Sequence, residues 1–178
     1  MTEASDNILP PGVTVECATP DDADTFVEIH EEAARWLWDR GIRQWQPGAF
    51  QKAWITRPIA RGELYIARRC GEAVGTVIVQ WADEYTWGLR PDDAGYIHGL
   101  RVRRSAAGQG LGRALLAWAE REIARAGPTF ARLDCIAENA ALCAYYERAG
   151  YTRLDDLIDG DFRAARFEKR LEEASGTP

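Results

Sequence analysis

Lysine is nearly absent from this chain of 178 residues. It occurs only at Lys52 and Lys169, so the basic character rests almost wholly on arginine. Histidine is equally sparse, with only His30 and His98, and the four cysteines (Cys17, Cys70, Cys135 and Cys143) include no C-x-x-C pair. A zinc site lacks its ligand spacing, and no metal is expected. No apolar run approaches the ~20 residues of a membrane span. The acidic opening MTEASDNILPPG has no basic stretch followed by an apolar one, so it does not read as a signal peptide. The expectations are a cytoplasmic location, no membrane partner, and reduced cysteines acting mostly as small core residues. Excess positive charge is lacking too. The 22 basic and 28 acidic residues leave a net charge of −6. That argues against nucleic-acid binding through bulk charge and mildly favours cationic partners.

What is present fits one domain with a real core. Hydrophobic residues make up 46% and charged residues 28%, an ordinary globular balance. Residues 13–171 are expected to form the domain, between a loose tail at 1–12 and a short one at 172–178. Val13 to Cys17 reads as a strand. Thr19, Pro20 and the acids at Asp21 and Asp22 then open a helix that runs to Gly41. A second helical stretch spans Ala49 to Ala60, interrupted at Pro58. Glu63–Arg69 and Val74–Trp81 flank CGEA as a hairpin, and DEYTWGLRPDD is a loop. Ala94–Arg103 is a strand, followed by a glycine turn and a helix to about Ala126 with a broad apolar face. Phe130–Ala137 is a strand, and Asn139 caps a short helix ending at Gly150. Tyr151–Asp156 and Phe162–Leu171 are the last strands. The strand–helix–strand unit in the middle predicts a right-handed crossover between two parallel strands. The class is therefore α+β, or mixed α/β, with one central and mostly antiparallel sheet.

The turn is the first stretch with chemistry in it. RVRRSAAGQGLGRALLAWAE carries Gly108, Gly110 and Gly112. Glycines at alternate positions let successive backbone N–H groups converge on an anion, and the following helix adds its own free N–H groups. A pyrophosphate fits such a site, and so does a plain tight connection. There is no G-K-[ST] of a P-loop and no G-x-G-x-x-G of a dinucleotide fold.

One strand later comes NAALCAYYERAGY, Asn139 to Tyr151. Together, L-x-V followed by GQGLGRALL and then this second stretch resemble the two signature regions of the GNAT N-acetyltransferase superfamily. The resemblance is specific from about Ala94 to Tyr151 and looser over Val13 to Leu171. It implies a GNAT-like sheet whose parallel pair splays around a CoA cleft, with helices on both faces. It implies acetyl-CoA as donor and an amine as acceptor, either a small molecule or a peptide. A homodimer is among the expectations because dimers are common in the family. The donor would be held by the backbone of Leu100 and Val102 along its pantetheine arm. The turn itself (Ala107, Gly108, Gln109, Gly110, Leu111, Gly112 and Arg113) would hold its pyrophosphate, with Asn139 and Tyr146 contributing from the next helix. Gly99 would mark the bulge that opens the cleft.

The resemblance also implies roles. Tyr146 stands where the family has its general acid, with Tyr145 as the neighbouring alternative. Leu100 would offer an N–H to the thioester carbonyl. His98 stands where some members have a base, and an imidazole suits that task; the alternative is a cleft-wall histidine. His30 reads as a packing residue. Trp36, Trp38, Trp45 and Trp54, with Trp81 and Trp87 opposite, are candidates for an aromatic acceptor pocket. GIRQW (Gly41 to Trp45) is the candidate acceptor loop, and Asp83 and Glu84 could meet a cationic acceptor. A covalent route through Cys135 or Cys143 lacks an activating base. One departure stands out. The family usually has Arg or Gln at the position of Ala107, so a charged phosphate contact is missing unless Arg103, Arg104 or Arg113 replaces it. Two other readings are a non-catalytic acyl-CoA-binding module and a nucleotide-binding protein using the same turn.

Overall fold

A computed structural model describes residues 8–172. Seven strands form one sheet: β1 (Val13–Cys17), β2 (Leu64–Arg69), β3 (Glu72–Gln80), β4 (Ala94–Val102), β5 (Phe130–Ile136), β6 (Thr152–Asp159) and β7 (Phe162–Arg170). Their spatial order is β1-β2-β3-β4-β5-β7-β6. Only β4 and β5 are parallel, joined by the crossover helix α4 (Leu111–Ala126), as the sequence pattern requires. The other helices are α1 (Ala23–Trp38), α2 (Thr56–Ala60), α3 (Glu84–Trp87) and α5 (Ala140–Arg148).

Alternation along the strands gives each face of the sheet its own core. Leu64, Ile66 and Ile78 pack with Ala23 and Phe26 of α1. Val77, Val79, Ile97 and Leu133 pack with Leu116, Ala119 and Ile123 of α4 and with Cys143 and Tyr146 of α5. Helix α4 lies hard against the sheet because two facing positions are glycine. A Cβ on Gly95 would come within 2.4 Å of Ile123, and one on Gly75 within 2.9 Å of Leu115. That close seat fixes where the N-terminus of α4, and hence the glycine turn, sits.

Two irregularities in β4 make the site. The first is where its parallel pairing stops. The ladder with β5 ends at Ile97 opposite Leu133, although β4 continues to Val102 and β5 to Ile136. From there the strands part, as Gly99 led us to expect. The second is the bulge itself. Thr76 pairs with Arg101 and Ile78 with His98, so two steps along β3 answer three along β4. Gly99 takes the strain with φ +59°, a conformation costly for any residue with a side chain. The extra residue reverses the alternation. His98 and Arg101 are three apart, yet both fall on the α1 face, while Leu100 and Val102 join the core beside α4.

Elsewhere the elements match the sequence reading with local differences. Pro58 does not interrupt α2, because it sits in the first turn, where its missing N–H has no partner to lose. The hairpin β2–β3 is tighter than expected. It turns on Cys70 and Gly71, both at positive φ, so β3 begins at Glu72. The segment expected as a loop contains α3, capped by Asp83, which accepts from the Thr86 N–H at 3.0 Å and turns Trp87 into the core. Strand β6 runs on to Asp159. The expected tails lie largely outside the described residues, but Leu9, assigned to the first of them, packs on the cluster around Val13 and Leu111.

Candidate active site

The parted strands, the glycine turn and α5 enclose adjoining hollows. One, of about 360 Å³, is walled by Leu100, Arg101 and Val102, by the turn from Ala106 to Arg113 except Gln109, and by Leu142, Tyr145 and Tyr146 of α5. Gly108 and Gly110 have φ +76° and +77°, and a Cβ on either would meet nothing within 4 Å. The turn is therefore bare backbone facing open space, ahead of the unpaired N–H groups of α4. Leu111 is buried, so only its backbone can reach a ligand. Gln109 is exposed and tied to Arg69 at 2.8 Å and to the Ser105 carbonyl at 3.2 Å. Asn139 uses Oδ1 to cap α5, accepting from the Leu142 N–H at 3.1 Å. That leaves its amide NH2 for other partners.

The residue facing the gap left by Ala107 is not Arg103. Its guanidinium donates to Glu28 and Glu32, each at 3.2 Å, and to the Ala73 carbonyl at 2.9 Å. Arg113 lines the hollow directly, and Arg104 stacks over Trp36 at 4.1 Å in the neighbouring recess.

The second hollow, about 280 Å³, lies between the parted strands, walled by His98, Gly99, Asp134, Cys135, Tyr146 and Gln44 among others. Tyr146 therefore borders both hollows. Tyr145 borders the turn but not this one. The Tyr146 ring is 8% exposed and packs on Tyr151 and Phe167, with centroids 6.0 and 5.8 Å away. Burial first, then Cys135, Tyr145 and Asp134, push its phenol well above the ordinary range, so it carries its proton at any physiological pH.

His98 stands between two carboxylates. Its Nε2 is 3.4 Å from Asp83 Oδ2 and its Nδ1 3.7 Å from Asp134 Oδ1. Burial holds the Asp134 carboxyl above its usual pKa, and His98 partly offsets this. One donor atom from each of the three lies within 4.8 Å of the others, a set that could hold a cation as well as orient an imidazole. Sequence reasoning missed Asp134 and gave Asp83 a different task. The only signal was a lone acid in the apolar strand FARLDCI. Glu84 points into solvent.

The tryptophans divide. Trp45, with Gln44 of the suspected acceptor loop, lines the cleft, and Trp54 lines a further recess on the α1 side. Trp36 borders the recess beside α5. Trp38 and Trp81 are exposed, and Trp87 is buried against Tyr96, so these three do not form the acceptor pocket. Cys135 and Cys143 lie sulfur to sulfur at 3.7 Å. Burial raises the Cys135 thiol far above its ordinary range, which removes it as a nucleophile.

His30 is packing, as read from sequence. It is 3% exposed, with its ring 4.3 Å from Phe50 and 5.1 Å from Trp45. Burial, then the charge of Arg101, lower it from the usual 6.5 to about 3. The folded chain therefore keeps it neutral while the unfolded chain protonates it. Stability is untouched above about pH 6.5 and falls as the pH drops from there toward 3, by up to about 1.4 kcal/mol per pH unit. Urea melts at pH 7 and pH 5 should show the loss in the parent chain, and a smaller one in His30→Gln. An equal loss in both would place the acid sensitivity elsewhere.

A model of the acetyltransferase (GNAT) family matches residues 30–151, most of the chain and all of the site just described. The chain belongs to the GNAT acetyltransferase family. The uncharacterized N-acetyltransferase YesJ of Bacillus subtilis (strain 168) is 36% identical over 143 residues, covering 75% of this chain and 78% of that one. Among solved structures, a GNAT-family acetyltransferase of Listeria monocytogenes 4b F2365 superposes with a TM-score of 0.75 at 27% identity, over 89% of this chain and 95% of its own. The PaiA N-acetyltransferase of Thermoplasma acidophilum, solved with coenzyme A, gives a TM-score of 0.70 at 17% identity, over 89% and 99%. No helix among the described residues is long and apolar enough to cross a membrane.

Proposed function

We propose that this GNAT enzyme moves the acetyl group of acetyl-CoA directly to a primary amine, with both substrates held together in the parted cleft. The observation that carries this reading is the meeting of two hollows at Tyr146: one opens on a bare glycine turn, the other on His98. The turn's N–H groups and the start of α4 take the pyrophosphate. Because Ala107 offers no charge, Arg113 supplies the cationic contact, with Arg104 nearby. Beyond Ile97 the β4 edge facing β5 has no ladder partner, so its backbone is free to receive the pantetheine arm as an added strand. The Leu100 N–H, beside the bulge, polarises the thioester carbonyl.

An alkyl ammonium must lose a proton before it attacks. His98, oriented by Asp83 and Asp134, takes that proton. The neutral amine nitrogen bonds to the acyl carbon, the carbon–sulfur bond breaks, the departing thiolate takes the Tyr146 proton, and the second proton on nitrogen passes to the Tyr146 phenolate, giving amide and free CoA. Much of the rate comes from holding amine and thioester side by side.

Thermal melting tests the donor half. CoA at a hundred times its Kd should raise Tm by about 5–10 °C, whereas ATP and NAD should not. Acetyl-CoA turnover across an amine library should then release free thiol. No CoA shift, or an equal shift with ATP, sinks the donor assignment. CoA binding without turnover on any amine would make the chain a non-catalytic acyl-CoA binder.

A further inference from the structure

The guanidinium of Arg101 is the most conspicuous group that the acetyl transfer leaves unused. The residue is 9% exposed, yet its Nε and one terminal nitrogen are buried with no hydrogen-bond partner. No carboxylate pairs with it among the described residues, whereas Arg103 and Arg132 are each held by two acids. It lies flat against aromatic rings, 4.5 Å from the centre of Trp45 and 5.2 Å from that of Phe26. Gly99 leaves it room, since a Cβ there would come within 3.1 Å of the guanidinium. Burial lowers it to about 10, the sign of a cation held without compensation. An unpaired buried charge is costly unless something meets it.

Its surroundings say what that something is. Arg101 borders a recess of about 350 Å³ on the α1 face, with Arg57 at the same recess and apolar walls from Phe26, Phe50, Trp54 and Ile78. No acid lines this recess. The acids stand instead at the adjoining cleft, where Asp134 and Asp83 flank His98. His98 and Arg101 border both hollows, so the acceptor site brings one guanidinium and the acids around His98 to the same space. Arg101 also borders the hollow of the glycine turn, but its guanidinium is turned to the α1 side, over Phe26 and Trp45, away from the turn where the CoA phosphates would sit.

We propose that the acceptor is an amino carboxylate with an apolar side chain: Arg101 binds its carboxylate, and its amine faces His98. A carboxylate is the partner that suits a guanidinium without an acid, and it can take one edge of the group, Nε with Nη2 or Nη1 with Nη2. This rests on the acetyl-transfer reading for the amine, but not for the carboxylate.

The experiment is calorimetric titration of the full chain, saturated with CoA, with L-leucine and L-phenylalanine and with their amides. The acids should bind at least about tenfold more tightly than the amides. Arg101→Gln should erase that difference and Arg101→Lys should keep part of it. Arg101→Met should raise Tm of the ligand-free chain, because it replaces an unpaired buried charge with an apolar stem. Equal binding of acids and amides overturns the proposal. So does binding of neither, a preference that survives in Arg101→Gln, or a lower Tm in Arg101→Met, which would show the guanidinium already satisfied within the fold. If the acids bind through Arg101 but no N-acetyl product forms, the transfer reading falls and this one stands. If acids and amides are acetylated equally, the reverse holds.

Discussion

Tyr146→Phe should lower kcat by about a hundredfold or more, the usual worth of a positioned proton donor, while the Kd for CoA stays within about twofold. The hydroxyl is all that changes. The ring remains packed on Tyr145, Tyr151 and Phe167, so fold and groove should persist, and the loss should appear in kcat and not in donor binding. Burial raises the phenol, so it carries its proton and is not itself a base. Tyr145→Phe is the control. Its hydroxyl is also buried and without a partner, but it does not border the His98 cleft. A kcat unchanged in Tyr146→Phe, or lost equally in Tyr145→Phe, would remove Tyr146 as the acid.

His98→Ala should be comparably severe and should change the shape of the pH profile as well as its height. A base works only when unprotonated, so the parent's kcat/KM should fall on the acid side of its profile. The alanine variant should lose about two to four orders of magnitude and with them the acid limb, leaving a nearly flat response there. Asp83 Oδ2 and Asp134 Oδ1 stand 3.4 and 3.7 Å from the two imidazole nitrogens. A limb that survives in His98→Ala would move the base to another group, and Asp134, with its raised pKa, would be the first to examine.

Much of the frame was legible in the sequence because each element carries its own period or stop signal. The parallel pair followed from the strand–helix–strand order, and the parting of the strands at Gly99 from what the family resemblance implies. What stayed hidden depends on segments far apart in the chain. Asp83 lies in a cap, His98 in β4 and Asp134 in β5, and no local pattern announces that they meet. Arg101 was concealed for a subtler reason. It occupies the variable place within L-x-V, where plain alternation would put it on the face opposite His98, and only the bulge brings the two together. Of the three arginines that could replace the charge missing at Ala107, Arg113 lines the hollow and Arg103 does not. Arg103 is near enough in sequence, but Glu28 and Glu32 of α1 claim its charge.

The bulge has a consequence for how such an enzyme can change. After Gly99, β4 presents Leu100 and Val102 to the helix side and His98 and Arg101 to the other. Side chains from opposite faces of one strand therefore meet around the cleft, with Leu100 and Arg101 both bordering the hollow of the glycine turn and the hollow of His98. On the proposed assignment, substitutions at position 101, or in the recess walls at Phe26 and Trp54, should change acceptor preference while leaving the β4 backbone proposed for the donor in place. A single inserted residue thus separates what must stay constant from what selection is free to redraw.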